Sequence, residues 1–591
     1  MFFCLMKRTH HCNELRPEHI GQTVTLAGWV DSRRDHGGVI FVDLRDREGI
    51  TQIVFNPEKA AEVAARAHGL RAEFVVAVRG EVVARLPGTE NAKLQTGAIE
   101  LLVTEFEILG PAETPPFPLD DTQVNEDLRL QYRYLDLRRP TMVRNLRTRH
   151  RFAQAVRGYL DQHGFIEIET PILSKSTPEG AREFLVPSRL MPGEFYALAQ
   201  SPQQYKQLLM VAGLDRYFQL AKCFRDEDPR ADRITELTQI DLEMSFTHQE
   251  EIFSLIEGLL QEIFRATRNQ EITVPFDRMP YREAMNRFGS DKPDRRFGME
   301  LQDVGDLFRE SQFKVFRAAL DAGGVVKAIN AKGFASITTG QIEELTEAAK
   351  QAGAKGLAFI KVENGEWKSP IVKFFSDAEK EGLTQRLGVE EGDLILFGAD
   401  CWETACAVLG RIRLLVAEKL GLLKGNEALN FLWVTDFPLL AFSPEDNKWN
   451  AVHHPFTRPK PEDLSLLDEG RFGEVRAEAY DVVLNGVEIG GGSIRIHEQA
   501  LQAKMFQVLG VSEEQQQRLF PHLLKAFSFG APPHGGIALG VDRLLMAICG
   551  TDNIRDVIAF PKNNRGQDLM MGAPAPATAR QLKELHLATR A

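Results

Sequence analysis

Three stretches of the chain set arginines and carboxylates where a phosphate or a cation could be held. In FQLAKCFRDEDPRADRITELTQIDLEMSF, residues 218–246, an apolar run delivers Arg225 into a charged loop and a second run returns with Asp241 and Glu243. A guanidinium is a planar fork that grips a phosphate or carboxylate at two points, and acids beside it suit a metal ion or an ammonium. In YDVVLNGVEIGGGSIRIH, residues 480–497, Asp481 and Glu488 fall on one predicted strand pair, and Arg495 is expected on another strand after three glycines. Magnesium takes one or two carboxylates and leaves its remaining positions to water and phosphates. Successive glycines inside a strand imply that something lies close against the backbone. In GAPPHGGIALGVDRLLMAI, residues 530–548, a Gly-rich strand turns into a helix with Arg543 in its first turns, where anions are favoured. The pattern is neither a Walker loop nor a Rossmann turn. Taken singly, each stretch has a purely structural reading, such as a salt-bridged hairpin for the first.

These residues need a large scaffold, and the chain has one. Its 591 residues exceed what one hydrophobic core organises, so two to four domains are expected. With 43% hydrophobic and 26% charged residues the composition is that of an ordinary soluble protein. MFFCLM is too short for a signal-peptide core or a membrane span, and from Met6 the sequence reads as a normal start. The six cysteines show no CxxC pair and no zinc-like spacing, which is consistent with reduced thiols in a cytoplasm. Taken alone, a net charge of −12 argues against a nucleic-acid binder. Locally, however, Arg129, Arg133, Arg138, Arg139, Arg144, Arg147, Arg149 and Arg151 face a single acid, Asp136. That run either tracks a phosphate backbone or finds partners within the chain.

Along the chain, residues 20–110 hold five short β-branched runs and one helical pattern, PEKAAEVAARAHGL, as in a small closed barrel of the oligonucleotide-binding kind. ETPPFPLDD is a proline-broken linker. Residues 144–163 are helical and FIEIETPIL follows as a strand. Composition shifts across 292–427, opening with GSDKPD, and FLWVTDFPLL then resumes the earlier apolar character. The reading is a barrel at 1–112, a hinge at 113–143, a split α+β domain at 144–291 and 428–564, an inserted domain at 292–427, and a C-terminal extension at 565–591.

In order along the chain, a helix–strand–Pro, a strand–Arg–loop–strand and a strand–Gly–helix–Arg resemble the three-motif signature of class II aminoacyl-tRNA synthetases. Over nearly the whole length the chain resembles the bacterial aspartyl-tRNA synthetase family, through YRYLDLRRP, TPEGAREFLVP, QSPQQYKQLLMVAGLDRYFQ, HHPFT, NGVEIGGGSIRIH and DNIRDVIAFPK. Gly398, Ala399 and Asp400 match the tripeptide for which the family's inserted domain is named. The resemblance implies an α+β multidomain protein: an N-terminal OB-fold barrel, a class II antiparallel sheet flanked by helices, and an inserted GAD-type domain. It implies ATP and Mg²⁺, L-aspartate, tRNA(Asp), a homodimer, a cytoplasmic location and no membrane association. By family match Arg225 and Arg543 are the catalytic arginines; with Glu227 and Glu488 they bind ATP, and Asp481 and Glu488 hold the metal. Glu179, Gln203, Lys206, Asp241, His453, His454 and Arg495 match the aspartate contacts. Arg34, Phe41, Gln52 and Glu100 match the anticodon contacts of the barrel.

The chain also departs from the family pattern. His36 stands where members restricted to tRNA(Asp) usually carry Leu, and Gly88 where Lys is often found. Both resemble the relaxed members that also charge tRNA(Asn). In motif 2 the family's adenine-stacking Phe is replaced by Leu237, a loss of about 1 kcal/mol of aromatic contact. Ala199 replaces a usual Pro, a minor loop change. Two rival readings are an asparaginyl or lysyl enzyme and a catalytically idle RNA-binding paralogue. The inserted segment and Arg495 oppose the first, and retention of Arg225, Arg543 and the acid pair opposes the second.

Overall fold

Five N-terminal runs rich in β-branched residues each carry an apolar face, and closing those faces on one another removes every exposed edge. The computed structural model describes residues 7–176 and 182–589. Within it β1 (Thr23–His36), β2 (Val39–Arg45), β3 (Ile50–Phe55), β4 (Val75–Ala84) and β5 (Ile99–Gly110) form a closed barrel in the order β1-β2-β3-β5-β4. Val24, Leu26, Ile40, Val42, Leu44 and Ile53 fill its interior. The intervening Phe41 and Asp43 stay half-buried on the outside. The helix Ala61–Ala67 adds Ala64 and Ala67 to the same core.

The chain divides into two compact units, one running up to Arg149 with Asn553–Pro576, the other being His150–Asp552 with the chain from Ala577 onward. Inside the first, six arginines of the run are paired within the chain. Arg129, Arg133 and Arg139 converge on the buried carboxylate of Asp136 at 2.8, 2.5 and 3.0 Å. Arg138 pairs with Glu73 and Arg147 with Glu48. Arg133 also donates to the carbonyls of Arg555, Ile558 and Ala559, and Arg149 to that of Val557. Of the two readings of this run, these pairings favour the one with partners inside the chain.

The second unit is built on an eight-stranded sheet. Its strands are β6 (Ile166–Glu167), β10 (Arg216–Phe224), β11 (Glu236–Ser245), β12 (Asp277–Pro280), β18 (Phe431–Thr435), β21 (Ala479–Leu484), β22 (Val487–Ile494) and β23 (His534–Gly540). Between these lie β7 (Leu173–Ser174), β8 (Leu185–Pro187) and β9 (Phe195–Leu198), a three-stranded sheet, and the small pair β19 (Leu440–Ser443) and β20 (Lys448–Ala451). The order β12-β18-β21-β22-β23-β11-β10-β6 is antiparallel throughout its six central strands, with a parallel strand at each edge. The strand expected over FIEIETPIL is two residues long, because Pro171 has no N–H for the ladder and the chain leaves the edge before it. A separate antiparallel sheet, in the order β13-β14-β17-β15-β16, comprises β13 (Gln302–Asp303), β14 (Val325–Ala331), β15 (Ala358–Glu363), β16 (Glu366–Lys368) and β17 (Leu394–Asp400).

The helix Gln249–Arg268 covers one face of the large sheet through Ile252, Phe253, Ile256 and Leu260, all buried. Phe253 stacks on Trp433 at 4.1 Å. From the same helix the buried Glu257 accepts hydrogen bonds from Trp433 Nε1 (3.0 Å), Phe276 N (3.1 Å) and Arg278 Nη1 (2.9 Å). Removing one member of a buried charged network strands the others. Glu257→Ala is therefore expected to cost about 3 kcal/mol, read as a lower urea midpoint by tryptophan fluorescence. Glu257→Gln, which keeps a carbonyl acceptor for Trp433, should cost distinctly less.

Candidate active site

Register decides which side chains of the large sheet meet. Gln219 lies opposite Asp241, Asp241 opposite Ala538, Ala538 opposite Gly491 and Gly491 opposite Asp481. In the next same-face row Tyr217, Glu243, Gly536 and Ser493 are neighbours. One face thus carries charge at both margins and small residues between. The glycines are a steric requirement: a Cβ at Gly536 would overlap the Glu243 carboxylate, and one at Gly491 the Asp481 carboxylate.

At one margin a charged quartet lies almost wholly out of water. Arg495 grips Glu243 with two hydrogen bonds, Nε to Oε1 at 2.9 Å and Nη2 to Oε2 at 3.1 Å. Lys206, from the helix Gln203–Val211, places Nζ 3.2 Å from Asp241 Oδ1 and 3.4 Å from Glu243 Oε2. Arg495 Nη1 also donates to Ser493 Oγ at 2.6 Å and lies 2.8 Å from His454 Nε2. Burial, then the charge of Arg495, the neighbouring His453 and the charge of Lys206, hold the His454 imidazole well below its ordinary range. Burial pushes Asp241 up, with Lys206 opposing. For Glu243 burial acts upward too, but Arg495 and Lys206 outweigh it and the carboxyl sits below its ordinary range. Asp241 Oδ2 and, one turn before Lys206, Gln203 Nε2 are buried without a hydrogen-bond partner among the described residues. Such groups cost about 1–3 kcal/mol each unless something satisfies them.

At the other margin Asp481 and Glu488 face each other across Gly491, the carbon that a side chain would add there lying 3.8 Å from Glu488 Oε1. Burial, then the Asp481 charge, raises the Glu488 carboxyl. His453 Nε2 is 3.8 Å from Asp481 Oδ1. Arg543, in the first turn of Val541–Cys549, donates to the Glu488 carbonyl at 3.1 Å and approaches Asp232 at 3.9 Å. Arg225 directly follows β10, and no described residue accepts a hydrogen bond from its guanidinium; Glu227 in the same loop pairs with Arg233 at 2.8 Å. Asp542 accepts from Thr238 N at 2.9 Å and so ties the hairpin to this helix.

Two sequence expectations need correction. Arg495 is on no further strand: Gly490, Gly491 and Gly492 belong to β22 and Arg495 continues it, bridging only to Thr457. The acid Glu243, read as a holder of metal or ammonium, is instead gripped by Arg495. His534, buried 3.3 Å from Gln207, was missed; the HGG step in GAPPHGG was its only signal. Glu179 lies outside the described residues.

In the barrel Arg34 Nη2 donates to Asp43 at 3.0 Å and Gln52 Oε1 at 3.2 Å, and Gln52 Nε2 to Glu100 at 2.7 Å. Phe41 sits beside this network, cross-strand from Arg34, with the His36 ring edge-on at 5.8 Å. The backbone of Gly88 has φ +83°, with open space where a side chain would stand.

The chain thus joins a closed five-stranded barrel of the oligonucleotide-binding kind to an antiparallel sheet with charged groups at both margins of one face. The chain belongs to the class II tRNA synthetases of the D, K and N group, whose family model matches residues 125–564, while residues 24–109 match the OB-fold nucleic acid binding domain. It is 56% identical over 592 residues to an aspartate–tRNA(Asp/Asn) ligase of Opitutus terrae, covering 99% of each chain. It is also 56% identical to a protein of the same name from Methylacidiphilum infernorum, covering 98% of this chain and 97% of that one. In fold it is similar to an asparaginyl-tRNA synthetase of Pyrococcus horikoshii, with TM-score 0.59, 20% identity, and 94% and 98% of the chains covered.

Because Glu243 is held below its ordinary range, its stabilisation is complete above that range and disappears as pH falls through the lowered value. At neutral pH Glu243→Gln is expected to lose about 3 kcal/mol. In parallel pH-dependent unfolding the deficit against the parent should shrink toward zero on acidification; a constant deficit would show that charge is not its source.

Proposed function

We propose that this protein activates L-aspartate with ATP and transfers it to tRNA(Asp) and tRNA(Asn) through an aspartyl-adenylate. The observation that carries this is the quartet: two fixed, buried cations beside an unpartnered carboxylate oxygen and an unpartnered amide N–H. Asp241 Oδ2 suits the substrate ammonium, and Lys206 and Arg495 suit its side-chain carboxylate, with Gln203, His453 and His454 completing the pocket; Glu179 is a further aspartate contact by its family match. Asparagine would turn an NH₂ toward a guanidinium, which discriminates strongly in a buried site.

Arg225 and Arg543 bind the triphosphate, with Glu227 a nearby ATP contact. The paired acids Asp481 and Glu488 fit Mg²⁺, since two carboxylates facing each other over bare backbone call for a shared cation. When bound, the metal neutralises charge on the phosphates. The aspartate carboxylate then attacks the α-phosphorus in line, pyrophosphate leaves, and Arg225 stabilises the charge gathering on the α-phosphate. The tRNA 3′-hydroxyl attacks the mixed anhydride and AMP departs.

Arg34, Phe41, Gln52 and Glu100 read the anticodon by stacking and edge hydrogen bonds. Exposed His36 and the side-chain-free Gly88 leave the readout tolerant, in keeping with the names of the relatives. Ile166, Leu173, Leu185, Leu190, Met191 and Phe195 are all at least 45% exposed within thirty residues, as expected of the contact surface of a homodimer. No helix among the described residues is long and apolar enough to cross a membrane, and we assign the protein to the cytoplasm on its family.

Aspartate charging of purified tRNA(Asp) and tRNA(Asn) at one fixed salt concentration is expected to proceed at comparable rates; a bias of several hundredfold toward tRNA(Asp) would overturn the relaxed specificity. Leu237, second residue of β11, replaces an aromatic stacking partner. Leu237→Phe should lower the KM for ATP severalfold in pyrophosphate exchange, while an unchanged KM would remove Leu237 from the adenine site.

A further inference from the structure

The segment GSDKPD, which opens the inserted region, is pinned against the hairpin that carries the acid pair. The turn Asn485–Gly486 joins β21 to β22, two residues before Glu488. Asp294 packs on that turn so tightly that a Cβ at Gly486 would lie 2.9 Å from the Asp294 Cβ. The next residue, Arg295, donates Nε to Asn430 Oδ1 at 2.9 Å. Asn430 N in turn donates to Asn485 Oδ1 at 2.9 Å, and Asn485 Nδ2 to the Ala428 carbonyl at 2.9 Å. Strap and turn therefore form one hydrogen-bonded block. Lys292 sits on this strap, and its ammonium and the Asp291 carboxylate both act electrostatically on Glu488. Its ion pair is with its sequence neighbour Asp291, at 3.2 Å, both side chains being more than 40% exposed. An exposed pair of this kind contributes little and leaves the ammonium available to a stronger anion.

We propose that Lys292 binds the β- and γ-phosphates of ATP and the leaving pyrophosphate beside the acid pair. This rests on the adenylate-forming reading above. A cation is needed at that place because the departing group gains negative charge beside two carboxylates. Arg225 is left to the α-phosphate, and Arg543 meets the acid pair from its own helix. Lysine suits the role, since a flexible point charge can follow a pyrophosphate as it leaves. The inserted region thus contributes to the chemistry through its first residues.

The test compares the parent with Lys292→Met and Lys292→Arg in aspartate-dependent ATP–pyrophosphate exchange, and measures binding of magnesium pyrophosphate by calorimetry. Lys292→Met is expected to raise the KM for pyrophosphate and ATP about tenfold and weaken pyrophosphate binding similarly, with the KM for aspartate within about twofold; Lys292→Arg should recover most of the loss. Unchanged pyrophosphate binding and KM in Lys292→Met would overturn the proposal, as would an equal rise in the aspartate KM, which would mark a general disturbance of the site. A parent that binds magnesium pyrophosphate through Lys292 but performs no exchange would uphold this contact and refute the adenylate-forming reading instead.

Discussion

Four charged side chains, Lys206, Asp241, Glu243 and Arg495, are each at most 2% exposed at one margin of the site on the eight-stranded sheet. Charges taken so far from water are tolerable only when each finds an opposite charge in good geometry and its remaining hydrogen-bonding capacity is filled. That constraint organises much of the second unit. The bidentate grip of Arg495 on Glu243 requires β22 and β11 to lie either side of β23 in one register. It also requires glycine at 536, because any Cβ there would displace the carboxylate. A slip of one residue in any of these strands would turn the charges to the opposite face, against the apolar helix Gln249–Arg268.

The quartet is balanced in charge but not complete in hydrogen bonds, and the difference lies on the side proposed for aspartate. Asp241 Oδ2 and Gln203 Nε2 remain buried and without described partners. A site held rigid by its own ion pairs, with its residual donors and acceptors aimed at the ligand, is preorganised: little reorganisation is needed when a substrate of matching charge arrives. The acid pair at the opposite margin follows a different logic. Two carboxylates there repel across one glycine, and that repulsion is relieved when a cation or phosphate-bound metal occupies the gap. Both margins stand on a common floor of Gly491, Ala538, Gly536 and Ser493, so the sheet sets their separation.

The barrel and the long hairpin β10–β11 were legible from residue patterns, because period-two alternation and turn residues report directly on a half-buried strand. The arginine run at 129–151 was not. Eight cations against one acid look unpaired along the sequence, yet six of the partners named above, Glu48, Glu73, Arg555, Val557, Ile558 and Ala559, come from distant segments. No local pattern could show Glu257 as the acceptor for Trp433 either, 176 residues away.

The sequence by itself determined the family, the kinds of charge the site contains and the elements that carry them, since motif order, spacing and alternation are properties of the chain alone. Tertiary structure decided which charges pair. Arg495 continues β22 and closes on Glu243, the glycines serve as the floor beneath carboxylates, and GSDKPD lies against the turn before Glu488. The physical reason is that pairing, burial and desolvation depend on distance in space. Strand register and long-range packing set those distances, and neither is written in the separation of residues along the chain.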